Sequence, residues 1–219
     1  MRSVFDAQLE EINVELIKMG SLCEAALKSS AEVLFQGNSE ALIKTEELER
    51  EIDIKERSIE DLCVKILLHQ QPVAKDLRIV SSAMKMIGDM ERIGDQAKDI
   101  AELGKIISAK DIMSEVHIRK MYELVTKMLC DSIDAFVNKN VELAKSIEYK
   151  DDEVDKCFDN AKNELTMLLK SENADSETCL DILMVAKYLE RIGDHAVNVS
   201  EWVIYAIEGK KVNNCCTEN

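Results

Sequence analysis

The sequence has 219 residues, of which 46% are apolar and 32% are charged, with only 7 Gly and 1 Pro. This composition excludes collagen-like and linker-like chains, and it disfavours an all-β protein because turns between many strands need Gly and Pro. The formal net charge of -15 repels phosphate backbones, so nucleic acid is not an expected partner. Abundant Leu, Ala, Met, Glu and Lys favour helices.

Helical periodicity covers almost the whole chain and predicts six helices. The breaks between them fall at 37–39, 69–75, 108–114, 138–140 and 171–176, and the last helix ends after Glu208. Ser39 and Ser176 are the expected N-caps of the second and sixth helices. The connections are short, so consecutive helices should pack antiparallel, and we expect an all-α protein.

The longest uncharged run, at 66–74, has nine residues, whereas a bilayer span needs ~20. The N-terminal residues have no apolar signal core, so we expect a cytoplasmic protein that reaches a membrane only through its partners. Seven cysteines without a CxxC spacing favour reduced thiols over a disulfide scaffold or a thiolate zinc site. Cys215 and Cys216, in the polar tail, have no assigned role.

An internal repeat divides the chain. The segment Glu91-Arg92-Ile93-Gly94-Asp95 recurs 99 residues later as Glu190-Arg191-Ile192-Gly193-Asp194. It lies in the third predicted helix of each half, which indicates a duplicated three-helix unit. We therefore predict two tandem repeated antiparallel three-helix bundles over 1–110 and 111–209, followed by a polar tail over 210–219.

Each repeated motif places a Glu and an Asp one turn apart on one helix face. The preceding helix of each half carries a matching acidic pair, Glu49 with Asp53 and Asp151 with Asp155. In the first half, a hairpin turn at Pro72 places these acidic pairs level with each other, Glu49 facing Asp95 and Asp53 facing Glu91. In the second half, a turn between residues 172 and 173 does the same, Asp151 facing Asp194 and Asp155 facing Glu190.

Four carboxylates at one level are difficult to keep ionised without a cation. Oxygen-only ligation suits Mg, Ca, Mn or iron. One turn further along, Asp99 can extend the first cluster, while Asn198 offers a weaker oxygen donor at the equivalent position of the second. The predicted metal ligands are Glu49, Asp53, Glu91, Asp95 and Asp99, and in the second half Asp151, Asp155, Glu190, Asp194 and Asn198.

Other interpretations of these residues stay open. The acidic face could be solvent-exposed or salt-bridged, with Arg92, Arg191 or Lys98 neutralising part of its charge. Gly94 and Gly193 fit close helix packing as well as room for a cluster. A carboxylate-ligated di-metal enzyme or a metal or redox sensor would share the helical architecture, and so would a plain helical scaffold without metal. Such enzymes normally need Glu-x-x-His on two helices, and the sequence has none, so we expect a non-enzymatic protein.

These features resemble the PhoU family, regulators of bacterial phosphate uptake and signalling. The matching features are the two Glu-Arg-Ile-Gly-Asp motifs, the duplicated three-helix architecture and the segment Gln-Pro-Val-Ala-Lys-Asp-Leu-Arg over 71–78. The resemblance implies a regulator that contacts the ATPase subunit of the high-affinity phosphate ABC transporter and the phosphate-sensing histidine kinase. It would restrain the phosphate-starvation response when phosphate is plentiful. The resemblance also implies iron or zinc clusters on the acidic motifs, and we further expect a homodimer.

Overall fold

The computed structural model describes residues 2–70, 72–107, 117–171 and 175–210. Within these ranges it contains six α-helices and no β-strand, which confirms the all-α prediction. The helices are α1 (Arg2–Gln36), α2 (Ser39–Gln70), α3 (Lys75–Ile106), α4 (Ile118–Asn138), α5 (Val141–Leu168) and α6 (Ser176–Glu208). The predicted boundary near residue 110 and the tail with Cys215 and Cys216 lie outside the described residues.

Side-chain oxygens cap three of the helices at their N-termini, and Asn140 Oδ1 does so for α5 by accepting from the Leu143 N–H at 3.0 Å. Asn38 Oδ1 accepts hydrogen bonds from the first backbone N–H groups of α2, and Asp175 Oδ1 does the same for α6. Ser39 and Ser176 are instead the first helical residues. The predicted caps are therefore wrong by one residue, because an Asn or Asp that caps equally well precedes each serine.

Helices α1, α2 and α3 pack against one another, and so do α4, α5 and α6. The antiparallel course of α1 and α2 is visible in two contacts. Ser29 Oγ donates to the Ala41 carbonyl at 2.9 Å near the turn, and Lys55 Nζ donates to Glu15 Oε2 at 2.7 Å farther from it. The chain thus forms the two predicted three-helix bundles.

The two bundles share one apolar core. Contacts of α3 with α6 and of α1 with α4 join the halves, and one cluster of buried apolar side chains extends through both. The acidic repeats lie on α3 and α6, so each acidic cluster is built next to this joint. No helix in the described ranges is both long and apolar enough to cross a membrane.

Candidate metal centre

The carboxylates of the first half converge between α2 and α3. Glu49 and Asp53 project from α2 and Asp95 from α3, and one oxygen of each lies within 4.8 Å of the others. Burial, followed by the charges of Asp95, Glu56 and Asp53, raises the pKa of Glu91, so Glu91 adjoins the same group. The structure therefore brings together the four acidic residues that the hairpin register places level with each other.

The first cluster is electrostatically strained. Burial raises the pKa of the Asp95 carboxyl, and the nearby charges of Glu49, Asp53 and Asp99 raise it further. A raised carboxyl pKa means that the ionised form is less stable here than in water. A bound cation would reverse this effect, because it favours the ionised form of every carboxylate around it.

Glu56 is a member of the cluster that the sequence-based ligand set left out. Burial raises the pKa of Glu56, and the charges of Glu60 and Asp53 add to this effect. Its signal in the sequence was its place on α2, three residues after Asp53, because residues three apart share a helix face. The first half thus has five neighbouring carboxylates and not four.

Basic side chains neutralise only one end of this group. Lys98 Nζ donates to Glu49 Oε1 at 3.1 Å. Arg57 lies 3.8 Å from Asp53, but its side chain is 75% exposed, and such exposed pairs contribute little. Neither Glu91 nor Asp95 has an ion-pair partner in the part of the chain that the structure describes. The salt-bridge alternative therefore accounts for Glu49 but not for the whole cluster.

Asp151 is the buried member of the second-half group. Its Oδ1 atom is buried and has no hydrogen-bond partner in the protein. Burial, together with the charges of Asp155, Asp194 and Glu190, raises the pKa of Asp151 to about 7. The four predicted residues are therefore neighbours, although no three of their oxygens within the described ranges converge as closely as the trio of the first half.

Lys187 is a lysine that contacts the acidic group of the second half. Its Nζ donates to Glu190 Oε2. Its charge also lowers the pKa of Asp155 and Asp194, although burial is the larger influence and leaves both pKa values raised. Sequence reasoning did not single out this lysine, because its distance from Asp155 depends on how α5 and α6 pack.

The two motif glycines have different surroundings. A Cβ built on Gly94 would lie 2.8 Å from Ile52 Cδ1, so this glycine allows close packing of α2 on α3. A Cβ built on Gly193 would lie 2.8 Å from Asp151 Oδ1, so this glycine makes room for the buried carboxylate. Each of the two interpretations that the sequence left open thus applies to one glycine.

Asp99 and Asn198 are directed to the contact between the halves. Asp99 on α3 faces Tyr188 on α6, and Asn198 Nδ2 on α6 donates to Asp89 Oδ1 on α3 at 3.0 Å. Neither belongs to the converging oxygens of the first cluster. The reason is the packing of α3 on α6, which occupies the helix face one turn beyond each motif.

Nitrogen and sulfur ligands do not join the converging group in the described part of the chain. The histidine rings have other neighbours: His195 Nδ1 lies 2.9 Å from Asp89, and His117 Nε2 lies 3.3 Å from Glu164. Burial raises the pKa of the Cys23 thiol to about 12, which keeps this thiol protonated and unreactive. The candidate centre is built from oxygen donors alone.

A family model confirms the resemblance noted in the sequence. The model of the PhoU domain matches this chain twice, over residues 16–104 and 118–203. The chain belongs to the PhoU family. Each matched range contains one of the two acidic clusters, so the duplicated PhoU domains coincide with the duplicated carboxylates.

PhoU relatives are similar to this chain over almost its whole length. A protein from Clostridium acetobutylicum is 36% identical over 219 residues, which covers 97% of this chain and 98% of the relative. One from Pseudomonas aeruginosa is 33% identical over 212 residues, covering 96% and 88%. Both are named phosphate-specific transport system accessory protein PhoU homolog.

Solved PhoU structures have the same fold. The crystal structure of PhoU from Pseudomonas aeruginosa superposes with a TM-score of 0.86 at 33% identity and covers 94% of this chain and 100% of that one. The phosphate transport system regulatory protein PhoU from Streptococcus pneumoniae also gives 0.86, at 25% identity, covering 95% and 99%. The PhoU architecture is therefore common to all three chains.

The residues of this PhoU chain fit a metal ion. Three carboxylate oxygens converge in the first half, and a buried oxygen without a partner lies in the second. Oxygen donors suit Mg, Ca, Mn and iron, whereas zinc sites usually include nitrogen or sulfur. The donor chemistry thus agrees with the iron, and less with the zinc, that the family resemblance implies.

Proposed function

We propose that this chain regulates phosphate uptake and phosphate-starvation signalling by restraining the high-affinity phosphate transporter and its sensor kinase when phosphate is plentiful. The observation that carries this proposal is the double PhoU-domain match, together with relatives aligned over nearly the whole chain that are named accessory proteins of phosphate-specific transport. Because the alignment includes both halves, the role is proposed for the whole chain.

The regulation would operate through protein contacts in the cytoplasm. The partners we propose are the ATPase subunit of the phosphate ABC transporter and the phosphate-sensing histidine kinase, with the chain itself acting as a homodimer. Exposed apolar side chains beside both hairpin turns support contact with other proteins: Leu68 is 70% exposed, Val73 74%, Met167 71% and Leu180 56%. These two ends are separate from the acidic clusters, so docking and metal binding can be tested apart.

The metal component of the proposal assigns a ligand group to each half. In the first half Glu49, Asp53 and Asp95 would hold the ion, with Glu91 and Glu56 adjoining. In the second half Asp151, Asp155, Glu190 and Asp194 would do so. The ion would supply positive charge that favours the ionised carboxylates and ties the two helices of each hairpin together, since metal affinity adds to folding stability.

The enzyme and redox-sensor alternatives have less support. The relatives are named accessory proteins. A di-metal helical-bundle enzyme usually combines carboxylates with histidines as metal ligands. In this chain His195 contacts Asp89 and His117 contacts Glu164. We therefore propose a regulatory role for the carboxylates and no catalytic one.

The regulatory role can be tested by deleting the gene and measuring a phosphate-starvation reporter at high phosphate. The proposal expects constitutive expression in the deletion strain and restoration by the wild-type chain. Capture of the transporter ATPase by the tagged protein tests the docking step separately. A deletion strain that still represses the reporter at high phosphate would contradict the regulatory role.

A variant separates the metal from the docking step. We expect Asp95→Asn to weaken metal binding while the protein remains folded, and the reporter then shows whether regulation needs the ion. Asp61→Asn is the control, because Asp61 is an exposed carboxylate of the same helix pair.

A further inference from the structure

The two acidic clusters differ in charge at one level of their helix pairs. The register that places Asp53 level with Glu91 also places Glu56 level with Gly88. The register of the second half places Phe158 level with Lys187. At this level the first half has one negative charge, from Glu56 opposite Gly88. The second half has one positive charge, from Lys187 opposite Phe158, so the two halves differ by two charges.

Lys187 is held within the second cluster by two contacts. Its ammonium group pairs with Glu190 on the same helix, and it lies 5.5 Å from the centroid of the Phe158 ring, within the range of a cation–π interaction. The Glu190 side chain is 16% exposed and the Lys187 side chain 46%, so only the carboxylate of this pair is shielded from water. The second half therefore has a positive charge beside the carboxylates that would hold an ion.

The first half has space at the corresponding place, and among its described residues Glu56 has no ion-pair partner. A Cβ built on Gly88 would meet nothing within 4 Å. Lys98 belongs to a different level, because its partner is Glu49, two helical turns from Glu56. Arg57 lies 3.8 Å from Asp53 but is 75% exposed, so Glu56 and its neighbours keep an excess of negative charge that a bound cation would balance.

We propose that Lys187 is a tethered counter-cation that competes with metal for the second-half carboxylates, so that the first half binds metal more tightly and fills first. An ion entering the second half must displace the ammonium from Glu190. An ion entering the first half meets more carboxylates: Glu49 is paired with Lys98 and Asp53 with the largely exposed Arg57, but the described residues offer no ion-pair partner to Glu56, Glu91 or Asp95. This inference rests on the metal component of the proposed function. It makes the two duplicated sites unequal in affinity.

Titration with Mn²⁺, followed by the loss of the free-ion electron paramagnetic resonance signal, tests the competition. The wild-type chain should show two classes of site, with Asp95→Asn removing the tighter class and Asp194→Asn the weaker. We expect Lys187→Met to tighten the weaker class about fivefold or more, the effect of removing one unit charge near an ion site in a water-like dielectric. Lys187→Arg keeps the charge and should behave like the wild type.

A matched control separates this role from general surface charge. Lys162 also lies 5.5 Å from the Phe158 centroid, but it pairs with Asp159 at 2.8 Å. Lys162→Met should therefore leave both classes of site unchanged. The reciprocal change, Gly88→Lys, should weaken the tighter class relative to Gly88→Met, because it introduces a competing cation beside Glu56.

The outcomes separate the inference from the function on which it rests. A wild-type chain that binds no Mn²⁺ overturns the metal component and, with it, the competition. Two classes of site that Lys187→Met leaves unchanged overturn the inference alone. Thermal melts in chelator give a readout without metal: Lys187→Met should lower the Tm more than Lys162→Met, and equal values would show that Lys187 is not the counter-cation of the cluster.

Discussion

Asn198 on α6 donates a hydrogen bond of 3.0 Å to Asp89 on α3. The same carboxylate oxygen lies 2.9 Å from His195 Nδ1. Counted by the repeat, Asn198 corresponds to Asp99 and Asp89 corresponds to Tyr188. Asp99 and Tyr188 likewise face each other between α3 and α6. The duplicated halves therefore meet through two equivalent polar contacts between α3 and α6.

The Asp89 contact predicts a loss of stability without a loss of metal binding. Asp89→Ala leaves the ring of His195 and the amide of Asn198 half-buried without their acceptor, so we expect the free energy of unfolding to fall by about 1–3 kcal/mol. Urea denaturation measures it. Mn²⁺ affinity should stay unchanged, and a selective loss of the second-half site would show instead that this contact belongs to the metal centre.

For Asp95 we expect the opposite: substitution should weaken metal binding but stabilise the metal-free protein. Burial and the charges of Glu49 and Asp53 oppose its ionisation, so Asp95→Asn removes repulsion from the metal-free protein and a ligand from the metal-bound one. We expect its melting temperature in chelator to rise by an amount equivalent to about 1 kcal/mol. The further rise in melting temperature on adding metal should be smaller than for the wild type. A variant that is less stable in chelator than the wild type would count against cation-relieved repulsion.

The fold could be read from the sequence because its signals are local. Long amphipathic stretches and short polar breaks predict helices, and the position of Pro72 sets the register that brings Asp53 to Glu91. The same periodicity identifies which face of α2 and α3 carries the carboxylates. The helix ends are harder to predict, because Asn38 precedes Ser39 and both residue types can cap a helix.

The finer composition of the clusters depends on packing between helices that are distant in sequence. Asp99 lies one turn after Asp95, yet its partner Tyr188 belongs to the other half. Local periodicity carries no information on that contact, so the sequence predicts Asp99 as a ligand without its neighbour from the other half. The repeated motif gives no signal for Lys187 for the same reason. Its position beside Phe158 on α5 follows only when the hairpin register is extended beyond the motif.

The buried carboxyl of Asp151 predicts a specific dependence on pH. Its pKa is raised from 3.8 to about 7, so between these values the folded protein holds a proton that the unfolded chain releases. The contribution of Asp151 to stability is therefore most favourable below about pH 4 and declines as the pH rises to about 7. Above that pH the folded state bears the full cost of a buried charge.

Asp151→Asn removes this dependence. In chelator at pH 8 we expect the variant to exceed the wild type in free energy of unfolding by on the order of 1–3 kcal/mol, and at pH 4 the advantage should vanish. Asp152→Asn is the control, because Asp152 is an exposed neighbour. A variant whose advantage is equal at both pH values would show that Asp151 does not titrate in this window.

Two glycines of α3 predict opposite effects of the same substitution. A Cβ on Gly104 would lie 2.9 Å from the Cα of Leu34, which is backbone and cannot rotate away, so Gly104→Ala must push α1 from α3. We expect it to lower the free energy of unfolding by about 1–3 kcal/mol, the usual cost of overpacking. Gly88 has no atom within 4 Å of its built Cβ, so Gly88→Ala should stabilise the helix by about 1 kcal/mol through propensity alone. Urea denaturation of both variants checks the pair, and a stabilising Gly104→Ala would mean that α1 and α3 are farther apart than the structure places them.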